Sequence, residues 1–452
     1  MNRKRPSIWL TAVFIILCIP AVFAQQTVPY AKAPGLTTST DFTVKANGKP
    51  IFTESIGNGG MENLNVASFA CEGTQTVTVT ASSAIKSYAL KPKSYNLRAN
   101  VSGRTLIFKI NGPQKVYIEI NGLPHLAIFA DPLEKNAPNK SASNVVYFGP
   151  GVHDVKNITL QSNQTVYIAA GATVNANVRG RDLHNVTITG RGRLNGNVQV
   201  ARTTNLQVDG IFVRNTSSWS NTLIDCTNSG FKNVKVFSYK GVWGLDGINP
   251  VSCKNFTIDD CFIRTRDDCI SIKNMKAFGK DSTRNINTDS VTVKNCLLVG
   301  WAHADGVTLG FEMQGGSVKN VLIKNCDVIC ASGQGRTGGH SGFSIVSDGP
   351  ADISNIRYED IRVEDKIEYK NLELIVTEGR RYGTEGAGSL KGVYLKNIKW
   401  ANPNKPFVIA GVPNSYVKDV TFEHCYLGDT LLKSMKDADF QTEFAEDIKF
   451  IP

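Results

Sequence analysis

The chain has 452 residues, of which 41% are hydrophobic and 20% are charged, which is the composition of a globular protein and not of a disordered one. The length exceeds what one ordinary core supports, so it predicts two domains or one elongated repeat structure. The net charge of +11 could attract an acidic polysaccharide, although scattered solvated lysines explain it equally well. No nucleic-acid-binding module is recognisable, so a nucleic-acid partner is not expected.

The N-terminal segment predicts export. Residues 1–24 combine a basic start, an apolar run and small residues, which is the pattern of a secretory signal peptide cleaved after Ala24. Leu17 is not the small residue that a lipoprotein signal requires before Cys18, so we expect a secreted or periplasmic protein. No later run is long and apolar enough to cross a bilayer, and a monomer without membrane insertion is expected.

Short alternating segments between residues 41 and 133 predict a small antiparallel β-sandwich. Polar residues 25–40 precede it as a linker, and residues 134–144 follow it as a second linker. The sandwich contains no catalytic cluster. It could bind carbohydrate beside a substrate, but repeat arrays need protected ends, so we favour a cap over the first coil of the next domain.

A seven-residue pattern recurs through residues 145–452. It reads polar, apolar, polar, apolar, then two mostly polar or small residues, then Cys or Ile. Copies begin at Asn205, Asn255, Ser290, Asn320, Asn355, Gly392 and Asp419. A partial copy begins at Asn185, 20 residues before Asn205. Apart from one longer gap near Asn205, the spacings run from about 20 residues to the high thirties, too uneven for the blades of a propeller. Strands that cannot bury a face alone must stack, so the chain is predicted to be all-β, with a right-handed parallel β-helix after the sandwich.

The seventh position of this pattern predicts an internal ladder. It holds Cys261, Cys296, Cys326 and Cys425, interspersed with Ile211, Ile361 and Ile398. Equivalent positions on stacked coils point the same way, so these cysteines should act as small hydrophobic residues. One or two disulfides could join pairs among Cys71, Cys226, Cys253, Cys269 and Cys330. No zinc-type Cys pair is present, and neither a metal nor a cofactor is predicted.

The candidate catalytic cluster lies between residues 241 and 312. It consists of Asp246, Asp267, Asp268 and His303, with Asp305 nearby. Asp246 and Asp268 are 22 residues apart, about one repeat, so Asp246 should stack one coil below the Asp267–Asp268 pair. Stacked carboxylates fall near the separations of about 5 to 9.5 Å that glycoside cleavage uses. Neighbours on a regular strand point to opposite faces, so a bend or Asp246 must bring a pair together.

Three stretches resemble the signature of the polygalacturonase family of glycoside hydrolases. They are Gly244-Leu245-Asp246-Gly247, Arg266-Asp267-Asp268-Cys269-Ile270 and His303, which correspond to that family's Asn-Thr-Asp-Gly, Asp-Asp-Cys and Gly-His-Gly motifs. The resemblance implies a right-handed parallel β-helix and inverting hydrolysis of a polyuronate. It also implies that Asp267 is the general acid, that Asp246 and Asp268 activate water, and that His303 holds the acid or the substrate.

The chain departs from this signature in several places. Leu245 replaces a polar residue, and His303 lies in Ala-His-Ala-Asp, 35 residues after Asp268, which requires an insertion at about residues 275–288. The family's Arg-Ile-Lys triplet, which holds the uronate carboxylate, is missing. The candidates to replace it are Arg336, Arg357, Arg380 and Arg381. The sandwich is similar to that of the dextranase and isopullulanase family, which leaves a neutral α-glucan as an alternative substrate.

Further residues near the cluster are candidate substrate contacts. They are Arg266, Lys273, Trp243, Asp305, Glu312 and His340. Asp305 and Glu312 are better explained as charges at strand ends, whereas the tryptophans Trp219, Trp243 and Trp301 are equally suited to stack on sugar rings or to pack inside. Two other functions stay open: a calcium-dependent polysaccharide lyase with Arg266 as base, and a polysaccharide-binding β-helix without catalysis.

Overall fold

The computed structural model of the chain describes residues 25–57, 63–135, 137–214, 216–238, 244–300, 304–331, 341–364, 370–379 and 382–452. The predicted signal peptide lies outside these residues. The regular secondary structure of the described chain consists of β-strands and two short 3-10 turns, at Lys93–Tyr95 and Met435–Asp437. Within it, no helix has the length and apolar character that crossing a membrane requires.

Two packed sheets form the N-terminal domain, as predicted. The strands are β1 (Gln26–Pro29), β2 (Phe42–Ala46), β3 (Lys49–Ile51), β4 (Thr53–Ile56), β5 (Leu64–Glu72), β6 (Thr74–Ala81), β7 (Tyr88–Lys91), β8 (Ala99–Ser102), β9 (Thr105–Asn111), β10 (Gln114–Ile120) and β11 (Leu126–Pro132). One sheet has the order β1-β5-β11-β10-β7 with β4 on β5, and the other has the order β3-β2-β6-β9-β8. All pairs are antiparallel except β5 with β11. Alternate residues of strands such as β6 are buried, so each sheet packs one face into a shared core.

The segment 25–40 belongs partly to the sandwich, so its prediction as a linker is wrong for β1. This strand pairs antiparallel with β5, from Gln26 opposite Glu72 to Pro29 opposite Phe69. Thr27 is buried and its hydroxyl donates a hydrogen bond to Gln75. A strand of only four residues, Gln-Thr-Val-Pro, is too short to show a hydrophobic periodicity of its own, and only its pairing with β5 reveals it.

A continuous sheet of 31 strands forms the second domain and winds as a parallel β-helix, which confirms the predicted fold. Face 1 comprises β12 (Val145–Phe148), β14 (Thr165–Ile168), β16 (His184–Gly190), β19 (Thr204–Asp209), β22 (Thr227–Lys232), β25 (Lys254–Asp259), β30 (Thr288–Lys294), the first parts of β33 (Ser317–Ala331) and β35 (Asp352–Val363), β37 (Ser389–Lys396), β40 (Val417–Glu423) and β44 (Ala445–Ile451). Face 2 comprises β17 (Arg193–Asn195), β20 (Phe212–Arg214), β23 (Lys235–Ser238), β26 (Phe262–Thr265), β31 (Leu297–Gly300), the second parts of β33 and β35, β38 (Lys399–Trp400) and β41 (Tyr426–Leu427).

Face 3 follows face 2 in each coil. It comprises β18 (Val198–Ala201), β21 (Asn221–Ile224), β24 (Ile248–Val251), β27 (Ile270–Asn274), β32 (Val307–Met313), β34 (Phe343–Ser347), β36 (Leu372–Val376), β39 (Phe407–Ala410) and β43 (Phe440–Glu443). In the first coils, β13 (Gly151–Thr159) and β15 (Ala172–Arg181) run across faces 2 and 3. Two hairpins lie beside the main faces: β28 (Ala277–Phe278) with β29 (Asp281–Ser282), and β41 with β42 (Thr430–Leu431). The first hairpin falls within the insertion predicted at residues 275–288.

Left-handed residues form the corners of the β-helix. The first and sixth residues of the seven-residue pattern have positive φ, as at Asn320 (57°), Asn325 (49°), Asn355 (54°) and Asp360 (55°). Asn, Asp and Gly tolerate this conformation better than other residues. The corner amides also stack, since Asn355 Nδ2 donates to Asn320 Oδ1 at 2.6 Å. The recurring polar residues therefore bend the chain at both ends of each face 1 strand.

The cysteine ladder lies in the interior, as predicted. Cys261, Cys296, Cys326 and Cys425 are at most 2% exposed. Among the described residues, the nine cysteines from Cys71 to Cys425 form no disulfide, so the suggested disulfides are wrong. Buried thiols point at backbone carbonyls of the neighbouring coil instead, as Cys253 does to Leu223 at 3.2 Å.

The sandwich packs along face 2, from Arg193 of β17 to Glu364 after β35, and not only over the first coil as predicted. The Phe129 ring contacts phenylalanines on three successive coils, with centroid distances of 5.9 Å to Phe212, 6.2 Å to Phe237 and 4.9 Å to Phe262. Without the sandwich, these rings would form an exposed apolar stripe. The sandwich therefore stands directly beside the corner at which face 2 meets face 3.

Buried ion pairs accompany these aromatic contacts. Glu54 of the sandwich lies 3.0 Å from Arg193 and 2.5 Å from Arg214, and Asp131 lies 2.5 Å from Lys235. Removing one member of a buried pair leaves a desolvated charge without its counter-ion. Moving the two domains apart would therefore leave these buried charges without their counter-ions.

We expect Glu54→Gln to lower the free energy of unfolding by about 3 kcal/mol, because Arg193 and Arg214 would lose the carboxylate that they share. Denaturant unfolding followed by circular dichroism measures this effect. Glu72→Gln, at the exposed end of β5, is the matched control and should change stability by less than about 0.5 kcal/mol. Equal stability of the two variants would contradict the prediction.

Candidate active site

Three aspartates occupy equivalent positions on consecutive coils at the corner between faces 2 and 3. Asp246, Asp268 and Asp305 each lie two residues before a face 3 strand, and the register pairs the first residue of β24 with that of β27, and the first residue of β27 with that of β32. The predicted stacking of Asp246 below Asp268 is therefore confirmed. Asp305 extends the same column by one coil.

Asp246, Asp267 and Asp268 form a compact cluster of carboxylates. Each offers one carboxylate oxygen, and these atoms all lie within 4.8 Å of one another. Asp246 and Asp268 are only 2% and 6% exposed, whereas Asp267 is half-buried at the bend before β27. The bend lets adjacent residues point to the same side. The oxygens are closer than the predicted separation of about 5 to 9.5 Å, because neighbouring strands are only about 4.8 Å apart.

Two backbone donors orient the Asp267 side chain. The N–H of Gly244 donates to Oδ2 at 2.8 Å, and the N–H of Asp268 donates to Oδ1 at 3.1 Å. Gly244 has a φ of 64°, a conformation that glycine adopts without strain. Asp267 is therefore held in place and is the most accessible carboxylate of the cluster.

Lys273 and Glu312, both predicted to contact substrate, form an ion pair next to Asp246. Lys273 Nζ lies 2.5 Å from Glu312 Oε2 and 3.6 Å from Asp246 Oδ2, and the Lys273 side chain is only 4% exposed. Burial acts to lower the pKa of Lys273, but Glu312 and Asp246 outweigh it and hold the pKa above its ordinary value. Lys273 is thus a permanent positive charge beside Asp246.

Burial sets the protonation of the two deeper carboxylates. It raises the pKa of Asp246 to about 7, against the opposing effect of Lys273. Burial also raises the pKa of Asp268 well above its usual range, and repulsion from Asp305 and Asp267 adds to this. Asn249 Nδ2 donates to Asp246 Oδ2 at 2.6 Å. Asp246 and Asp268 therefore retain a proton at higher pH than ordinary aspartates do.

Asp305 lies behind Asp268. Its backbone N–H donates to Asp268 Oδ1 at 2.9 Å, and its own carboxylate accepts from the Ser341 N–H at 2.5 Å and from Ser344 Oγ at 2.6 Å. The side chain is buried, and burial raises the pKa of Asp305 to about 7. This burial favours a positioning role toward Asp268 over the predicted substrate contact.

Trp219 packs beside the cluster. Its ring stacks on Phe278 of the β28–β29 hairpin at a centroid distance of 4.6 Å, and Lys273 Nζ lies 4.3 Å from the Trp219 ring centroid. Of the two interpretations drawn from the sequence, these contacts favour packing. Trp219 therefore helps to hold the Lys273 ammonium group in position.

The remaining predicted residues divide into two groups. Arg266 is half-buried at the bend, immediately before Asp267, and its role as a substrate contact stays a prediction. Arg357 lies on face 1, paired with Glu359 and over the Tyr394 ring, so its proposed role in holding a uronate is wrong. The other candidates lie outside the described residues: His303, Trp243, Trp301, His340, Arg336, Arg380 and Arg381.

Sequence reasoning missed several supporting groups. Asn249 and Ser344 are the clearest cases, because each donates to a buried aspartate of the column. A signal for the column was present, since Asp246, Asp268 and Asp305 each begin an Asp-x-Ile or Asp-x-Val tripeptide. Aligning these tripeptides would have placed Asp305 on Asp268.

The cluster could also supply ligands to a cation, because three carboxylate oxygens converge. Calcium takes about six to eight oxygen ligands, and here the ammonium group of Lys273 already lies against Asp246. The donor set is therefore better suited to proton transfer among carboxyl groups than to a calcium site.

Comparisons with known proteins found a matching family model and curated relatives. A family model described as Glycosyl hydrolases family 28 matches residues 133–402. An exopolygalacturonase from Arabidopsis thaliana is 26% identical over 234 residues, which cover 50% of each protein. The chain spans between about a quarter and a half of the length of the curated relatives it matches.

Two solved structures show the same fold. A hyperthermoactive exopolygalacturonase from Thermotoga maritima superposes with a TM-score of 0.53 at 19% identity, covering 68% of this chain and 83% of that one. Dex49A from Penicillium minioluteum superposes with a TM-score of 0.52 at 12% identity, covering 94% of this chain and 96% of that one. The second likeness extends over both domains.

Proposed function

The chain belongs to glycosyl hydrolase family 28, and on that premise we propose that it is an exported enzyme that hydrolyses a pectic polyuronate with inversion at the anomeric carbon. The observation that carries the proposal is the convergence of Asp246, Asp267 and Asp268 at one corner of the β-helix. The pectic substrate is supported by the names of similar proteins, which are polygalacturonases. Export is supported by the signal-peptide pattern of residues 1–24.

The three carboxyl groups divide the reaction between them. Asp267, the most accessible, donates its proton to the glycosidic oxygen as the bond from that oxygen to the anomeric carbon breaks. Asp246 and Asp268, one coil apart, hold a water molecule, and Asp246 accepts its proton as the water oxygen bonds to the anomeric carbon. Lys273 supports the ionised form of Asp246 at 3.6 Å. We assign to Arg266, beside Asp267, the contact with the negative charge of a uronate.

The anomeric configuration of the product tests the stereochemistry. Inverting enzymes commonly separate their two carboxyl groups by about 6.5 to 9.5 Å and retaining enzymes by about 5 to 5.5 Å. The nearest oxygens here are closer than the first range, so inversion is supported by the family and not by the spacing. We expect the first product seen by proton NMR to have the inverted configuration, and retention would contradict the proposal.

Substrate class is tested by incubating the protein with polygalacturonate, dextran and a sulfated polysaccharide in excess chelator. We expect saturated products with new reducing ends from polygalacturonate alone. Cleavage of dextran alone would show that the substrate is an α-glucan and not a pectic polymer. Unsaturated, ultraviolet-absorbing products that require calcium would identify a lyase and refute hydrolysis.

A further inference from the structure

A cleft of about 330 Å³ lies on the seam between the sandwich and the later coils of the β-helix. We call it the seam cleft, and its main lining residues are Lys93, Ser94, Arg362, Glu364, Lys399 and Ala401. Glu364 follows β35 on face 2, three coils after the coil that holds Asp267. At about 4.8 Å per coil, the seam cleft is about 14 Å further along the helix axis. Its volume is typical of small-ligand pockets, about 300 to 1,000 Å³.

The charges around the seam cleft favour an anionic ligand. Lys93 projects from the sandwich and Lys399 from β38, and both are exposed. Lys399 lies 3.9 Å from the fully exposed Asp429. An exposed ion pair of this kind has a small interaction energy, so Asp429 does little to neutralise Lys399. Arg362 is held by Asp327 through hydrogen bonds of 2.6 and 2.7 Å. The two lysines therefore supply positive charge from opposite walls.

Glu364 supplies a second, independent indication of a ligand. Its side chain is 6% exposed, and Oε1 accepts the backbone N–H of Lys93 at 2.5 Å. Oε2 is buried and has no hydrogen-bond partner among the described residues. A buried polar oxygen without a partner is unfavourable, so this atom is available to a hydroxyl group that enters the seam cleft.

The carboxyl group of Glu364 does not exclude an anion at mildly acidic pH. Burial raises the pKa of Glu364 to about 7, and the groups that face it are Lys93 and Lys91 from the sandwich and Asp327 from the preceding coil. Below that pH the Glu364 carboxyl is mostly protonated, so it adds little negative charge near a bound carboxylate.

We propose that the seam cleft binds a carboxylate-bearing sugar residue of the polysaccharide, outside the catalytic corner. The sugar carboxylate lies between Lys93 and Lys399, the protonated Oε2 of Glu364 donates a hydrogen bond to a ring hydroxyl oxygen, and Ala401 contributes apolar surface beneath the ring. The identity of the ligand rests on the proposed function. The sandwich then has a role in holding substrate, because Lys93 belongs to it.

Binding of sodium polygalacturonate to the full chain tests this proposal. All proteins carry Asp267→Asn so that the polymer is not cleaved, and calorimetry is done at about pH 5.5, where carboxylates of the polymer are ionised. We expect Lys399→Glu and Glu364→Ala each to weaken binding about five- to tenfold. Lys391→Glu, an exposed site on face 1 with the same change of net charge, is the matched control and should bind as the parent does.

The outcomes separate the seam cleft from the proposed function. Equal affinities of Lys399→Glu and Lys391→Glu, in a chain that still cleaves polygalacturonate when Asp267 is intact, would overturn the seam cleft alone. If the intact chain cleaves no uronate polymer, the proposed function fails, and a selective loss of binding in Lys399→Glu would still support the seam cleft. If the parent protein shows no saturable binding of the polymer, the proposed ligand site in the seam cleft is wrong. Thermal unfolding confirms that Glu364→Ala is folded, and Lys399→Glu changes only an exposed side chain.

Discussion

Asp267→Asn is expected to slow hydrolysis of polygalacturonate by about 10²- to 10⁴-fold, because an amide has no proton to give to the leaving oxygen. Asparagine has nearly the same size and keeps one oxygen to accept the N–H of Gly244 or of Asp268. The corner should therefore keep its shape. Release of reducing ends measures the loss, and thermal unfolding monitored by circular dichroism verifies the fold.

The chain supplies its own control for this substitution. Asp259, Asp260 and Cys261 repeat the tripeptide of Asp267, Asp268 and Cys269 in the same coil, but at the corner between faces 1 and 2. Asp259→Asn changes the same chemical group in the same local sequence and should leave the rate unchanged. If Asp267→Asn were as active as Asp259→Asn, the assignment of Asp267 as the acid would be wrong.

Lys273→Met is expected to cause the second largest loss, about 10- to 100-fold at mildly acidic pH. Lys273 opposes the effect of burial on Asp246, so its removal raises the pKa of Asp246 further above 7. Asp246 must be ionised to accept a proton from water. The ionised fraction below this pKa falls, so the acidic limb of the rate profile should move to higher pH, and the rate should partly recover as pH rises.

A pH–rate profile distinguishes this electrostatic role from a purely structural one. A variant that was merely misfolded would lose activity at every pH, whereas loss of the Lys273 charge moves the acidic limb of the profile to higher pH. Lys276→Met, three residues further on and exposed, is the matched control and should keep the native profile. An unshifted limb in Lys273→Met would show that Lys273 does not support Asp246.

Much of the fold could be predicted because the residues of the repeat determine the backbone conformation at the corners and the side chains that face the interior. Asn320 and Asn325 take left-handed conformations at the corners, and the apolar positions between them face the interior. Strand β1 and the placement of the sandwich could not be predicted in this way. Both depend on partners far along the chain, such as β5 for β1 and Phe262 for Phe129.

By itself, the sequence determined the β-helix, the sandwich and the stacking of Asp246 on the Asp267–Asp268 bend, because these follow from local periodicity and from a spacing of about one coil. Only the tertiary structure decided that Asp305 lies behind Asp268, that Lys273 is paired with Glu312 beside Asp246, and that the sandwich flanks the corner. Coil lengths vary, so the register between coils, and with it the set of side chains that meet, is settled by packing of the whole helix and not by any single segment.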